Sequence, residues 1–112
     1  MPRNMSFMLT TEQIRNRTKT VTRRLGWWNI KDGEIINACV KCQGLKKGEK
    51  IEHICLIRII GHRPEPLWLI DEEDLAREGF SHLSTWEFID MFCKHNKCEM
   101  ITRVNRIQFE YV

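Results

Sequence analysis

Apolar and polar positions alternate in short runs along most of this chain, and helical spacing takes over only between residues 71 and 96. Near the start, "SFML" is a brief apolar segment leading into "TTEQIRNRT". There Thr10 and Gln13 have the spacing of a capping box and predict one or two helical turns. "KTVTRRL" is β-prone, with Thr20 and Thr22 on one face and Lys19, Val21 and Arg23 on the other. Asp32-Gly33 signals a turn before the apolar run "IINACV", and "QGLKKGEK" reads as a loop. "IEHICLIRII" then predicts a long strand with Cys55, Ile57 and Ile59 on one face.

Two helices are predicted next. Asp71 opens "DEEDLARE", whose further acids sit where the helix dipole favours them, and Gly79 ends it. Ser84 and Glu87 form a second capping box, Leu83 and Phe88 have hydrophobic-staple spacing, and Phe88, Ile89 and Phe92 make an apolar stripe. "RIQFEYV" closes the chain as a half-buried strand, with Ile107, Phe109 and Tyr111 inward and Arg106, Gln108 and Glu110 outward. The order β-α-β-β-β-α-α-β, without βαβ periodicity, predicts one α+β domain over residues 1–112: a small mixed sheet or barrel with helices at one side. The methionines, Trp68 and Trp86 are expected in its core.

Composition narrows the picture. A hydrophobic fraction of 42% argues against a disordered chain, and no apolar run approaches membrane-spanning length. The N-terminus lacks the apolar region of a secretory signal, which predicts a cytosolic protein with reduced thiols at Cys39, Cys42, Cys55, Cys93 and Cys98. Net charge is only +3, but it is segregated. Arg15, Arg17, Lys19, Arg23 and Arg24 cluster, while Asp71, Glu72, Glu73, Asp74 and Glu78 form an acidic block, a pattern expected of a local binding face.

The segment "NRTKTVTRR", residues 16–24, carries four cations and no acid. Basic residues protect an edge strand from unwanted pairing, but so dense a group repels itself unless an anion or acid compensates. Trp27-Trp28 follow directly, and arginines beside aromatics can hold nucleobases by phosphate contact and stacking. Glu78 is the one acid the helix does not explain, because a carboxylate in the last turn faces the negative end of the dipole. An acid out of place and a basic segment without counter-charge are natural partners.

These residues carry a resemblance. "NRTKTVTRR" is similar to the signature of the ASCH domain family of the PUA-like superfamily, approximately G-x-K-x-x-T-x-R. "KDGEII" resembles its following turn and strand, "AREGF" its later helix end, and "RIQFEYV" its closing strand. The likeness is greatest to the short stand-alone proteins of bacterial and phage genomes. It implies a small PUA-like/ASCH β-barrel with flanking helices and a cleft for RNA or a modified nucleoside. Some members of this length remove the acetyl group of N4-acetylcytidine with a lysine, a threonine and a glutamate, which the resemblance carries to Lys19, Thr22 and Glu78, with no cofactor. Arg17, Arg23, Arg24, Trp27 and Trp28 are then substrate or RNA contacts. Asn16 is taken to stand where the motif has glycine. Thr22 activated by Lys19, a water activated by Glu78, and binding without turnover are all compatible with these residues, as are a ribonuclease and a purely regulatory role. A competing reading of "CVKC" and "CKHNKC" is a zinc site built from Cys39, Cys42, Cys93 and Cys98 with His95 as a further donor, although the second pair is not spaced as C-x-x-C. His82 is the histidine of interest, for its nearness to Glu78.

Overall fold

The computed structural model describes residues 2–42 and 47–112. Five strands and three helices follow in the predicted order: β1 Arg3–Ser6, α1 Thr11–Arg15, β2 Val21–Arg24, β3 Ile35–Cys39, β4 His53–Pro66, α2 Glu72–Arg77, α3 Thr85–Asn96 and β5 Arg103–Tyr111. Short 3-10 turns at Met8–Thr10 and Leu67–Leu69 precede α1 and α2. The strands form one sheet in the order β1-β3-β4-β5-β2, curled into a half-barrel with the helices alongside. Among the described residues only the β1–β3 pair is parallel. The loop expected at residues 43–50 lies partly outside the described residues.

β4 organises the sheet. Its first half alternates as predicted, with Ile57 and Ile59 fully buried and Leu56, Arg58 and Ile60 outward. It then continues past the predicted end, through a register shift between Ile59 and Gly61, to Pro66. Pro64 and Pro66 fit because β3 has already left at Arg58, so this half pairs only with β5 and a missing N–H breaks no second ladder.

Two apolar clusters sit at opposite ends of the long strands. One gathers Met5, Phe7, Ile14, Ile36, Ile57, Ile59, Ile107 and Phe109; the other gathers Leu67, Leu75, Phe80, Phe88, Phe92 and Val104. Between them, along β4 and β5, lie Glu65, Asn105 and Arg106, all buried. This corrects the outward position expected for Arg106. Trp68, Trp86, Met8 and Met100 are exposed rather than core, since the clusters are filled by Phe, Ile and Leu, and among the described residues Met5 is the methionine that is fully buried.

Helix ends explain most of the local order. Asp71 caps α2, its side chain accepting from the Asp74 amide at 2.8 Å. Ser84 and Glu87 make the predicted reciprocal box at the start of α3. The box expected at Thr10 does not form. α1 grows out of a 3-10 turn, Thr11 Oγ1 donates back to the Phe7 carbonyl, and Gln13 is used elsewhere. Its side-chain Nε2 donates to the Gly79 carbonyl at 3.0 Å, and its own carbonyl accepts the Thr18 amide at 2.9 Å and the Lys19 amide at 3.3 Å. Gln13 therefore clamps the end of α2 to the basic segment.

Gly79 is required twice over at this clamp. Its φ is +91°, and a Cβ there would lie 2.8 Å from Gln13 Cγ. Gly79→Ala is expected to destabilise the fold by about 1–3 kcal/mol, read as a lower urea midpoint at unchanged slope.

Candidate functional site

The basic segment reaches its acidic partner through α2. The Thr20 amide donates to the Arg77 carbonyl and the Thr20 carbonyl accepts from Phe109, so β2 is pinned between the end of α2 and β5. This places Lys19 against Glu78. Lys19 Nζ donates to the Glu78 carboxylate Oε1 and to its backbone carbonyl, each at 2.6 Å, and both side chains are buried. The Lys19 ammonium also lies 5.7 Å from the Phe80 ring centroid. Burial pushes its pKa down; the charge and hydrogen bond of Glu78 act the other way, and Arg24 and Arg23 lower it further. The net direction is down, so Lys19 releases a proton more readily than an ordinary lysine.

Behind this pair lies a charged layer. In the β2–β5 register Arg23 faces Arg106, a like-charge pairing that needs an acid between its members. Asp74 supplies it. Arg106 donates through Nε and NH2 to both Asp74 oxygens at 2.7 and 2.8 Å, Arg23 NH2 donates at 2.5 Å, and Arg77 NH1 at 3.0 Å. Arg23 is shared with Glu65 at 2.9 Å and, more loosely, with Glu78 at 3.4 Å. Burial alone would raise the Asp74 pKa, but the hydrogen bonds from Arg106 and Arg23 override it and hold the carboxyl well below the ordinary range. Arg23 Nε and Asn105 Oδ1 are buried without a partner among the described residues.

Lys19, Glu78 and Thr22 line one cavity of about 460 Å³, together with Arg23, Arg24 and Trp27. That size falls within the roughly 300–1,000 Å³ common for small-molecule sites. Its opposite wall is aromatic and comes from Phe80 and α3. Thr22 Oγ1 accepts from Arg24 Nε at 3.1 Å; among the described residues it is hydrogen-bonded to neither Lys19 nor Glu78. Arg17 and Trp28 lie outside the cavity lining. Arg17 is exposed over the Tyr111 ring at 5.5 Å, and Trp28 is exposed to solvent. Arg23 is immersed in the charged layer, which makes it a structural cation before it is a ligand contact. His82 stands 6.1 Å from the Phe80 ring and does not line the cavity.

The glycine-like position is Arg17, two residues before Lys19, and not Asn16. Arg17 has φ +62°, whereas Asn16 has φ −89° and uses its side chain to accept from Thr18. The left-handed residue is thus an arginine, steadied by stacking on Tyr111, whose hydroxyl donates to the Lys19 carbonyl at 2.6 Å. Gln13, Glu65, Asp74 and Arg106 are the site residues that pattern reading missed. The available signal was an acidic run at residues 71–74 longer than a helix start requires.

The cysteines do not assemble the zinc arrangement. Cys39 and Cys42 sulfurs are 3.0 Å apart at the end of β3, with the Cys39 thiol pushed up to about 12 by burial and by its bond to Cys42. Cys93 and Cys98 pack against the other apolar cluster. Among the described residues no group of three or more His, Cys, Asp or Glu side chains is placed to hold a metal.

Structural similarity agrees with this architecture. A DUF984 family-model protein of Enterococcus faecalis matches with a TM-score of 0.71 at 16% identity, covering 100% of this chain and 80% of that one. An ASCH domain of Lactobacillus crispatus matches with a TM-score of 0.64 at 17% identity, covering 97% of this chain and 78% of that one. The chain has an ASCH-like fold. At these identities the likeness concerns the fold alone. No family model and no curated protein matches the sequence. Among the described residues, no helix of this ASCH-like chain is long and apolar enough to cross a membrane.

Asp74 provides a test of the charged layer. Its depressed pKa contributes stability that is complete above the unfolded carboxyl value of about 4 and is lost as pH falls below it. Asp74→Asn is expected to cost about 3–5 kcal/mol at pH 7, because it strands buried arginines. Urea unfolding from pH 6 to pH 2.5 is expected to show a shallower acid loss in the variant than in the wild type.

Proposed function

We propose that this protein binds RNA or a modified cytidine in the cavity between β2, the end of α2 and α3, and that it hydrolyses the amide of N4-acetylcytidine there. The observation that carries this reading is the buried Lys19–Glu78 pair at 2.6 Å on the cavity wall. A buried acid and amine in direct contact, with the lysine pKa lowered, can hold and move a proton where water is largely excluded. The ASCH-like fold and the motif positions of Lys19, Thr22 and Glu78 support the same assignment.

The geometry favours a water route over a threonine nucleophile, because Lys19 is bonded to Glu78 and Thr22 to Arg24. Glu78 accepts a proton as the water oxygen forms its bond to the acetyl carbon. Lys19 donates to the carbonyl oxygen on which negative charge develops. The bond from the acetyl carbon to N4 then breaks, the proton held by Glu78 passes to N4, and acetate and cytidine leave. Thr22 forms the neighbouring wall of the cavity.

A second reading, RNA binding without turnover, is favoured by one observation. Glu78 already has both carboxylate oxygens engaged by Lys19 and Arg23, an arrangement equally suited to accepting hydrogen bonds from a base amino group.

Hydrolysis of N4-acetylcytidine by the wild type separates the two. Lys19→Ala and Glu78→Gln are each expected to lower kcat/KM by about a hundredfold or more, and Thr22→Val by less, with thermal unfolding confirming that each variant folds. No turnover by the wild type, alongside RNA binding that weakens with salt, selects the binding role.

A further inference from the structure

The cavity contains more positive charge than its acids balance. Lys19 and Arg23 are matched by Glu78, and Arg23 also by Asp74 and Glu65. Arg24 and Lys41 line the same cavity, and among the described residues neither is paired with an acid. Arg24 is nevertheless firmly held. Its Nε donates to Thr22 Oγ1 at 3.1 Å, its NH2 donates to the Ser6 carbonyl at 2.6 Å, and its guanidinium stacks over the Phe7 ring at 4.7 Å. These partners are all neutral, and among the described residues NH1 makes no hydrogen bond.

A partly buried cation surrounded by neutral acceptors bears a desolvation cost that a fold normally offsets with an acid. Burial draws the Arg24 pKa down to about 10, while the charge of Glu78 acts the other way without a direct bond. A second feature ties Lys41 to the same place. Ser6, whose carbonyl holds Arg24, donates its hydroxyl to the carbonyl of Val40 at 3.0 Å, directly before Lys41. One serine on β1 thus anchors both the arginine and the turn that carries the lysine. Arg24 is preorganised by neutral groups, with Glu78 acting on it only at longer range, and Lys41 lines the same cavity, as expected where a ligand supplies a further anion.

We infer that Arg24 and Lys41 form a phosphate subsite, so that the cavity takes a cytidine carrying a phosphate, either a terminal monoester or an RNA phosphodiester, in preference to the free nucleoside. The planar guanidinium fork suits phosphate oxygens and the ammonium supplies a second point charge. The base end of this ligand rests on the reading given above; the phosphate end stands on Arg24, Lys41 and Ser6 alone. Arg23 is excluded from the role, since its guanidinium is already shared among three carboxylates.

Calorimetric titration with cytidine, cytidine 5′-monophosphate, a cytidine-containing trinucleotide and inorganic phosphate tests the subsite. The monophosphate is expected to bind about tenfold or more tightly than cytidine, consistent with one charge-assisted contact. Arg24→Gln and Lys41→Gln are each expected to bring the two affinities together; Lys41, lacking a protein partner, keeps the test open should Arg24→Gln fail to fold. A trinucleotide matching the monophosphate assigns the phosphodiester, and a weaker one assigns the terminal monoester. Phosphate binding without cytidine binding supports the subsite and removes the base reading. Cytidine binding with no preference for the monophosphate does the reverse, and a preference that survives both variants also overturns the subsite.

Discussion

One carboxylate sets the arrangement of this molecule. Asp74 sits in the first turn of α2, faces inward, and receives hydrogen bonds from Arg23 on β2, Arg106 on β5 and Arg77 one turn later on its own helix. Without it, the β2–β5 register would press two arginines together in a dry interior. With it, the same register becomes the means by which α2 is fastened to the sheet. The end of that helix is thereby set over β2, and Glu78 falls against Lys19 as a geometric consequence. The candidate site thus depends on an acid that does not itself line the cavity.

The clamp made by Gln13 adds a second constraint of the same kind. The side chain reaches the end of α2 while the backbone carbonyl holds the two residues that begin the threonine segment. Lys19 and Glu78 are therefore positioned from three directions: the charged layer below, β5 at the side, and α1 above. Such over-determination is what allows a short, partly irregular segment to carry chemistry, and it is also what lets Arg17 persist in a left-handed conformation.

Element order, the capping of α2 and α3, and the inward face of β4 were legible in the sequence because each is a local matter of periodicity or of spacing between neighbouring residues. Glu78 was legible for a related reason: a local rule, the sign of the helix dipole, was broken there. What escaped was non-local. Arg106 alternates correctly as an outward residue, and only the approach of α2 turns that face of β5 into an interior. Gln13 looks like half of a capping box until Gly79, 66 residues away, claims its amide. Trp28, Trp68 and Trp86 have the hydrophobicity of core residues, but the core is already full, and no pattern along one strand or helix reports that.

The placement of the charged layer between the two apolar clusters bears on temperature. Val104 and Ile107 lie three residues apart on one strand yet belong to different clusters, with Asn105 and Arg106 between them. Apolar cohesion weakens on cooling, while the cost of dehydrating ions falls on warming and grows in the cold. Moderate warming therefore favours both contributions, and chilling weakens both together. The seam between the clusters is the plane along which cold, more than heat, would part this fold.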